Sequence, residues 1–156
     1  MPSVAAEIDL LEDFRRLVAA FEAAGLEYAV VGALALAVHG FPRATTDIDL
    51  LIRKEDLPAA LRVAATIGYR FPAEPMTFSN GMEVQRVTKV EAGDHLILDL
   101  LLVNEQSEDL WATRQRVASA QGAITVISRE ALVKMKAMAG RPQDLVDLQR
   151  LRDEGE

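Results

Sequence analysis

The segment Leu96-Ile97-Leu98-Asp99-Leu100-Leu101-Leu102 constrains this chain more than any other. Its aliphatic run reads as β-structure, bounded upstream by the turn sequence Glu91-Ala92-Gly93-Asp94. A carboxylate with aliphatic neighbours on both sides is costly to bury unless it is paired or bound to a metal ion. The fold must therefore cover the run and also give Asp99 a partner. Composition allows this, since half of the 156 residues are hydrophobic, which excludes wholesale disorder.

The remaining pattern predicts an α/β (α+β) chain. Ile8, Leu11, Phe14, Leu17, Val18 and Phe21 recur at helical spacing over 6–24, with Gly25 as a stop. Residues 28–31 read as a short buried strand running into Gly32, and 33–39 as a short helix ending at Gly40. A loop around Pro42 leads to a strand over 47–52 and a helix over 54–67. Strands over 82–90 and 95–103 are expected to form a meander or hairpin, and 105–120 is predicted helical with Trp111 as a packing anchor. A strand over 123–127 and helices over 129–139 and 143–153 complete a mixed β-sheet flanked by helices, with a short C-terminal helical hairpin. No repeat or linker divides the chain, so 1–156 is expected to be one domain, with a core over 26–127 and the terminal helices over 128–154.

Several function classes are excluded at this level. There are no cysteines, hence no disulfides, thiolate zinc sites or cysteine nucleophiles. Seventeen Lys and Arg against 24 Asp and Glu leave a net charge of −7, which argues against a stand-alone grip on nucleic-acid phosphates. The longest apolar stretch, 28–41, holds about 14 residues where a membrane helix needs about 20. The N-terminal segment is acidic where a signal peptide needs a basic start, so a cytoplasmic location is expected.

Asp47-Ile48-Asp49 opens the second strand, and alternation puts both carboxylates on one face. In isolation the pair reads equally well as a capped turn. With Asp99 on a neighbouring strand, three carboxylates about 6 Å apart would repel by roughly 3 kcal/mol per pair at an effective dielectric near 20. Oxygen-only ligation of this kind suits Mg²⁺, which takes one or two carboxylates plus substrate phosphates. The competing explanation for Asp99 is a salt bridge to Arg43 or Arg86. Gly32-Ala33, between a strand and a helix, adds backbone N–H groups that an anion can approach closely.

Val31-Gly32-Ala33 with the following helix, then Arg43-x-Thr45-x-Asp47-Ile48-Asp49-Leu50, resembles the core motif of the DNA polymerase beta-type nucleotidyltransferase superfamily. Together with the tail Leu132-Val133-Lys134-Met135-Lys136-Ala137 and Gly140-Arg141-Pro142-x-Asp144, it is similar to small bacterial nucleotidyltransferase-like proteins, among them abortive-infection toxins of toxin–antitoxin systems. The two segments cover about a quarter of the chain, and Asp99 falls where the third carboxylate belongs.

The resemblance implies a nucleotidyltransferase fold and a two-metal, Mg²⁺-dependent in-line displacement at the α-phosphorus of a nucleoside triphosphate. Asp47, Asp49 and Asp99 would be catalytic residues and metal ligands, with Asp99 also orienting the acceptor hydroxyl. Gly32, Ala33, Arg43, Thr46 and Lys136 would contact the nucleotide. Lys136 can equally be a solvated helix lysine, Asp144 and Asp147 can pair with Arg141 and Arg150, and His39 reads as a packed helix-end residue.

One residue departs from the superfamily pattern, because the turn carries Gly-Ala where Gly-Ser is usual. The missing hydroxyl removes a charged-group contact worth about 1.5–3 kcal/mol. The expected activity is transfer of a nucleoside monophosphate to a hydroxyl on an RNA end, a protein or a small molecule, with a cognate toxin or antitoxin as a further partner. The alternative is a binding module that keeps the fold without the chemistry. A metal-dependent phosphohydrolase ranks third, since only His39 and His95 could supply imidazole ligands.

Overall fold

The computed structural model describes residues 4–41, 45–78, 80–119, 122–139 and 141–154. Six α-helices and eight strands are found among them, with a 3-10 turn at Lys54–Asp56 leading into α3: α1 (Val4–Ala23), β1 (Ala29–Val31), α2 (Gly32–Val38), β2 (Asp47–Arg53), α3 (Leu57–Thr66), β3 (Phe71–Pro72), β4 (Met76–Thr77), β5 (Glu83–Glu91), β6 (Asp94–Val103), α4 (Glu108–Trp111), β7 (Gln115–Ser119), β8 (Gly122–Val126), α5 (Arg129–Ala139) and α6 (Pro142–Glu154). The strands form one mixed sheet in the order β3-β5-β6-β2-β1-β8-β7, with β4 also pairing β5. The expected mixed sheet flanked by helices is thus the observed architecture. No described helix is long and apolar enough to cross a membrane.

The middle of the sheet positions the site. β2 pairs antiparallel with β1 and parallel with β6, and the parallel register sets Asp49 directly beside Asp99. Alternation then divides the residues between two faces. Ile48, Leu50, Ile52, Leu98, Leu100 and Leu102 are buried on one face, whereas Asp47, Asp49, Asp99 and Leu101 line a cleft on the other.

The β5–β6 hairpin follows from its turn. Ala92 and Gly93 both have positive φ, 53° and 83°, the condition for a type I′ two-residue loop. Such a loop fixes the register by counting outward, and Arg86 falls opposite Asp99.

Two expectations need correction. Residues 105–120 are not one helix, since only Glu108–Trp111 is helical and Gln115–Ser119 pairs antiparallel with Gly122–Val126. Pairing to a strand that follows almost at once outweighs the weak helical preference of Gln115 to Ser119. Trp111 is nonetheless an anchor: it is buried, and the Arg114 guanidinium lies 3.9 Å from its ring centroid. In α1 the buried stripe is Leu10, Phe14, Leu17, Val18 and Phe21, while Leu11 is exposed. The side chain of Ile8 lies outside the described residues. Two short strands, β3 and β4, add to the edge of the hairpin, and Pro72 is tolerated there because an edge strand can forgo a ladder donor.

Candidate active site

The cleft has a volume of about 460 Å³ and is bounded by three chemically distinct walls. The acidic wall comes from β2 and β6. At its centre Gly32 adopts φ +69°, and a Cβ built there would sit 2.3 Å from Asp49 Oδ2 and 2.9 Å from its Cγ. Only glycine lets the β1–α2 junction approach this carboxylate so closely. α2 itself spans only seven residues. The close backbone approach at Gly32 is therefore the firmer feature of the junction, and Ala33 lines the cleft beside it.

Asp49 carries the electrostatic tension of the site. Burial first, then the charges of Asp99 and Asp47, push its carboxyl up to about 7, with Lys136 and Arg141 pulling the other way. Asp99 is resolved differently. The Arg86 Nε and a terminal guanidinium nitrogen donate to its two oxygens at 2.9 and 3.0 Å. This bidentate pair is the salt-bridge partner considered from the sequence. Among the described residues no group of three or more ligating side chains is drawn together as a ready metal cage.

The basic wall comes from α5 and α6. Lys136 is buried, with its Nζ 3.4 Å from Asp144 and 3.1 Å from Asp147. It is therefore an ion-paired residue at the cleft edge, not a solvated lysine. Arg141 donates from its side chain and its backbone N–H to Asp144. The backbone bond is half of a capping box, with Asp144 at the third helical position and Pro142 at the first. Burial pushes the Asp144 carboxyl up, but the Arg141 hydrogen bonds and the Lys136 charge outweigh it and hold the group below its ordinary value.

The remaining wall is apolar and was not singled out from the sequence. Met76, Phe78, Met82 and Val84 line it, and Phe78 is 45 % exposed. β4 and the segment after it have no periodicity long enough to announce themselves, so only pairing to β5 reveals this wall.

Of the expected site residues, the fold brings Gly32, Ala33, Asp47, Asp49, Asp99 and Lys136 to one cleft. Thr46 is not among the cleft-lining residues; its hydroxyl donates to Asp47 Oδ1 at 3.0 Å, and Thr45 lines the cleft instead. Arg43 lies outside the described residues. His39 is a packing residue, its Nε2 2.9 Å from the Ile127 carbonyl. Arg86 was foreseen only as a partner for Asp99. Counting back from the Ala92-Gly93 turn is the signal that places it.

The donor chemistry fits a hard divalent cation. Asp47 and Asp49 present oxygen only, on one face, and no ion pair to either is found among the described residues. That deficit of positive charge is what a cation with its remaining ligands from water and phosphate would supply.

No protein-family model matches the chain, and no curated protein matches it. Solved structures do. A proposed nucleotidyltransferase from Thermotoga maritima is 18% identical with a TM-score of 0.63, and the match covers 94% of each chain. The lincosamide antibiotic adenylyltransferase LnuA, solved with lincomycin, is 16% identical with a TM-score of 0.62 over 90% of this chain and 95% of that one. ANT(2'')-Ia, solved with adenylyl-2''-tobramycin, is 16% identical with a TM-score of 0.63 over 90% and 86%. With TM-scores of 0.62 and 0.63 over 90% or more of this chain, its mixed sheet flanked by helices has the nucleotidyltransferase fold.

Proposed function

We propose that this protein is a divalent-metal-dependent nucleotidyltransferase that moves a nucleoside monophosphate from a nucleoside triphosphate to a hydroxyl acceptor. The observation that carries this reading is the Gly32–Asp49 contact. A backbone reduced to bare Cα is pressed against a half-buried carboxylate that has no ion pair among the described residues, with Asp47 beside it in an open cleft.

In this reading Asp47 and Asp49 hold Mg²⁺, which when bound screens the triphosphate and promotes attack by the acceptor oxygen. Gly32 and Ala33 offer backbone N–H groups to the phosphates, and Arg141 supplies a cation at the opposite wall. Lys136 acts through Asp144 and Asp147, keeping α6 and Arg141 in place. The new bond joins the acceptor oxygen to the α-phosphorus, pyrophosphate leaves, and the hydroxyl proton is released near Asp99. Small hydroxylated molecules are the favoured acceptor class. The relatives of this fold include enzymes solved with lincomycin and with an adenylylated tobramycin, and a cleft of about 460 Å³ suits a ligand of that size.

The second reading, a binding module without transfer chemistry, has its own support in the Arg86–Asp99 pair and in Ala33 at the phosphate turn. Calorimetric titration of Mg²⁺ with each nucleoside triphosphate separates the two. The wild type is expected to bind in a metal-dependent way, and Asp49→Asn to weaken binding by on the order of a hundredfold, about 2.7 kcal/mol. Failure of the wild type to bind any triphosphate at millimolar concentration would overturn the enzyme reading and favour the binding module.

A further inference from the structure

We infer that Arg86 is a positioning residue that holds Asp99 closed and competes with metal for it, so that the third carboxylate joins the site only when this ion pair opens. The inference rests on the metal-dependent reading above.

Asp99 sits between Asp49 on β2 and Arg86 on β5, in register with both. It is buried, and both of its oxygens accept from one guanidinium. A bidentate pair of this kind is charge-assisted and fixes the plane of the carboxylate as well as its charge. Both oxygens are thereby directed at Arg86, not at the Asp47–Asp49 side.

The guanidinium itself is less constrained. Its side chain is 37 % exposed, it lines the cleft, and its guanidinium hydrogen bonds among the described residues go to Asp99 alone. It can therefore withdraw toward cleft solvent without breaking another side-chain hydrogen bond among the described residues. The contrast with Lys136, which is buried between two carboxylates, is plain.

The fixed cation has a second effect. It offsets part of the repulsion among three acids in the absence of metal. The result is an acidic site that keeps its shape before loading, at the expense of metal affinity. A polyanion entering the cleft gives the displaced guanidinium a new partner, so metal and triphosphate should bind with mutual reinforcement.

Mn²⁺ titration without nucleotide, read by the electron paramagnetic resonance signal of the free ion, tests this in the wild type, Arg86→Gln and Arg86→Lys. Arg86→Gln is expected to bind Mn²⁺ at least about tenfold more tightly than the wild type, the factor that about 1.4 kcal/mol of released competition produces. Arg86→Lys, which keeps the charge but not the fork, should fall between them. The same Arg86→Gln protein should lose thermal stability without metal and regain it with Mn²⁺.

A purely structural arginine would lower stability and leave Mn²⁺ affinity unchanged or weaker, and that result overturns the inference. If Arg86→Gln does not fold, the lysine variant decides alone, and equal affinity to the wild type sinks the idea. Failure here is distinguishable from failure of the enzyme reading. A wild type that binds Mg²⁺ with triphosphate, beside an Arg86→Gln protein with no gain in Mn²⁺ affinity, removes only the role of Arg86. Absence of binding in every variant removes both.

Discussion

β5 sends two cations to opposite faces of the sheet, and they meet opposite fates. Arg86 points into the cleft, toward an excess of acid. Lys89, three residues on, is buried on the other face, with its Nζ 3.0 and 3.1 Å from the two oxygens of Asp13 on α1. Tyr69 donates to the same carboxylate at 3.1 Å, and its ring lies 5.9 Å from the Lys89 ammonium. The residue before it, Gly68, leaves room for the lysine stem, because a Cβ there would sit 3.1 Å from Lys89 Cδ and Cε.

The Asp13–Lys89–Tyr69 cluster is balanced, closed and multiply hydrogen-bonded. The acidic wall of the cleft is open and carries three acids with one cation, Arg86, in direct contact. Among buried ionic groups, balance marks a structural role, and a standing excess of one sign marks a place prepared for a ligand.

Breaking the balanced cluster should produce the largest effect on stability. Lys89→Met leaves Asp13 buried beside Tyr69 without its cation and should cost about 3–5 kcal/mol, measured by urea unfolding. The double variant Asp13→Leu/Lys89→Met should recover most of that loss, because matched apolar replacement removes both desolvation penalties. Triphosphate binding by the folded fraction should be unchanged. A large change there would mean that the two faces are coupled and would undo the comparison.

Gly32→Ala tests the cleft from its tightest point. The added Cβ meets Asp49 at 2.3 Å in a backbone conformation that favours glycine, and the expected cost is roughly 1–3 kcal/mol. Metal-dependent triphosphate binding should fall more than stability alone would explain, since Asp49 must move. Wild-type binding by this variant would show that the close approach has no functional role.

The smallest expected effect is also the one that most sharply contrasts the two clusters. Asp49 holds its proton in the folded chain up to about pH 7, above the ordinary 3.8 of the unfolded chain. Its contribution to stability is therefore fully present below about pH 4 and is lost as pH rises through about 7. Asp49→Asn has no such proton to lose. Without metal, its Tm should exceed that of the wild type by about 3 °C at pH 8, and the advantage should shrink as pH falls and vanish below about pH 4. An advantage that persists undiminished below about pH 4 would mean that charge at Asp49 is not what destabilises the site.

Much of the site was legible because it is encoded locally. Asp47 and Asp49 share a face by strand alternation, Gly32 stands at a strand-to-helix junction, and the Ala92-Gly93 turn fixes which residue faces Asp99. The Arg86–Asp99 pair was available by the same counting. The apolar wall was not, because Met76 and Thr77 become a strand only by pairing with β5. The same holds for Gln115–Ser119, where a helical reading gives way to pairing with β8.

By itself, then, the sequence determined the alternation of elements, the spacing of the acids and the glycine that lets backbone meet carboxylate. These depend on periodicity and turn chemistry, which act over a few residues. The tertiary structure decided which charges would be neutralised. Lys136 lies between Asp144 and Asp147, Lys89 reaches back 76 residues to Asp13, and Asp49 is left with the unrelieved charge of the cleft. Whether a charged side chain becomes a strut or a site depends on what the rest of the fold brings within a few ångströms, and that is set by packing between segments far apart in the chain.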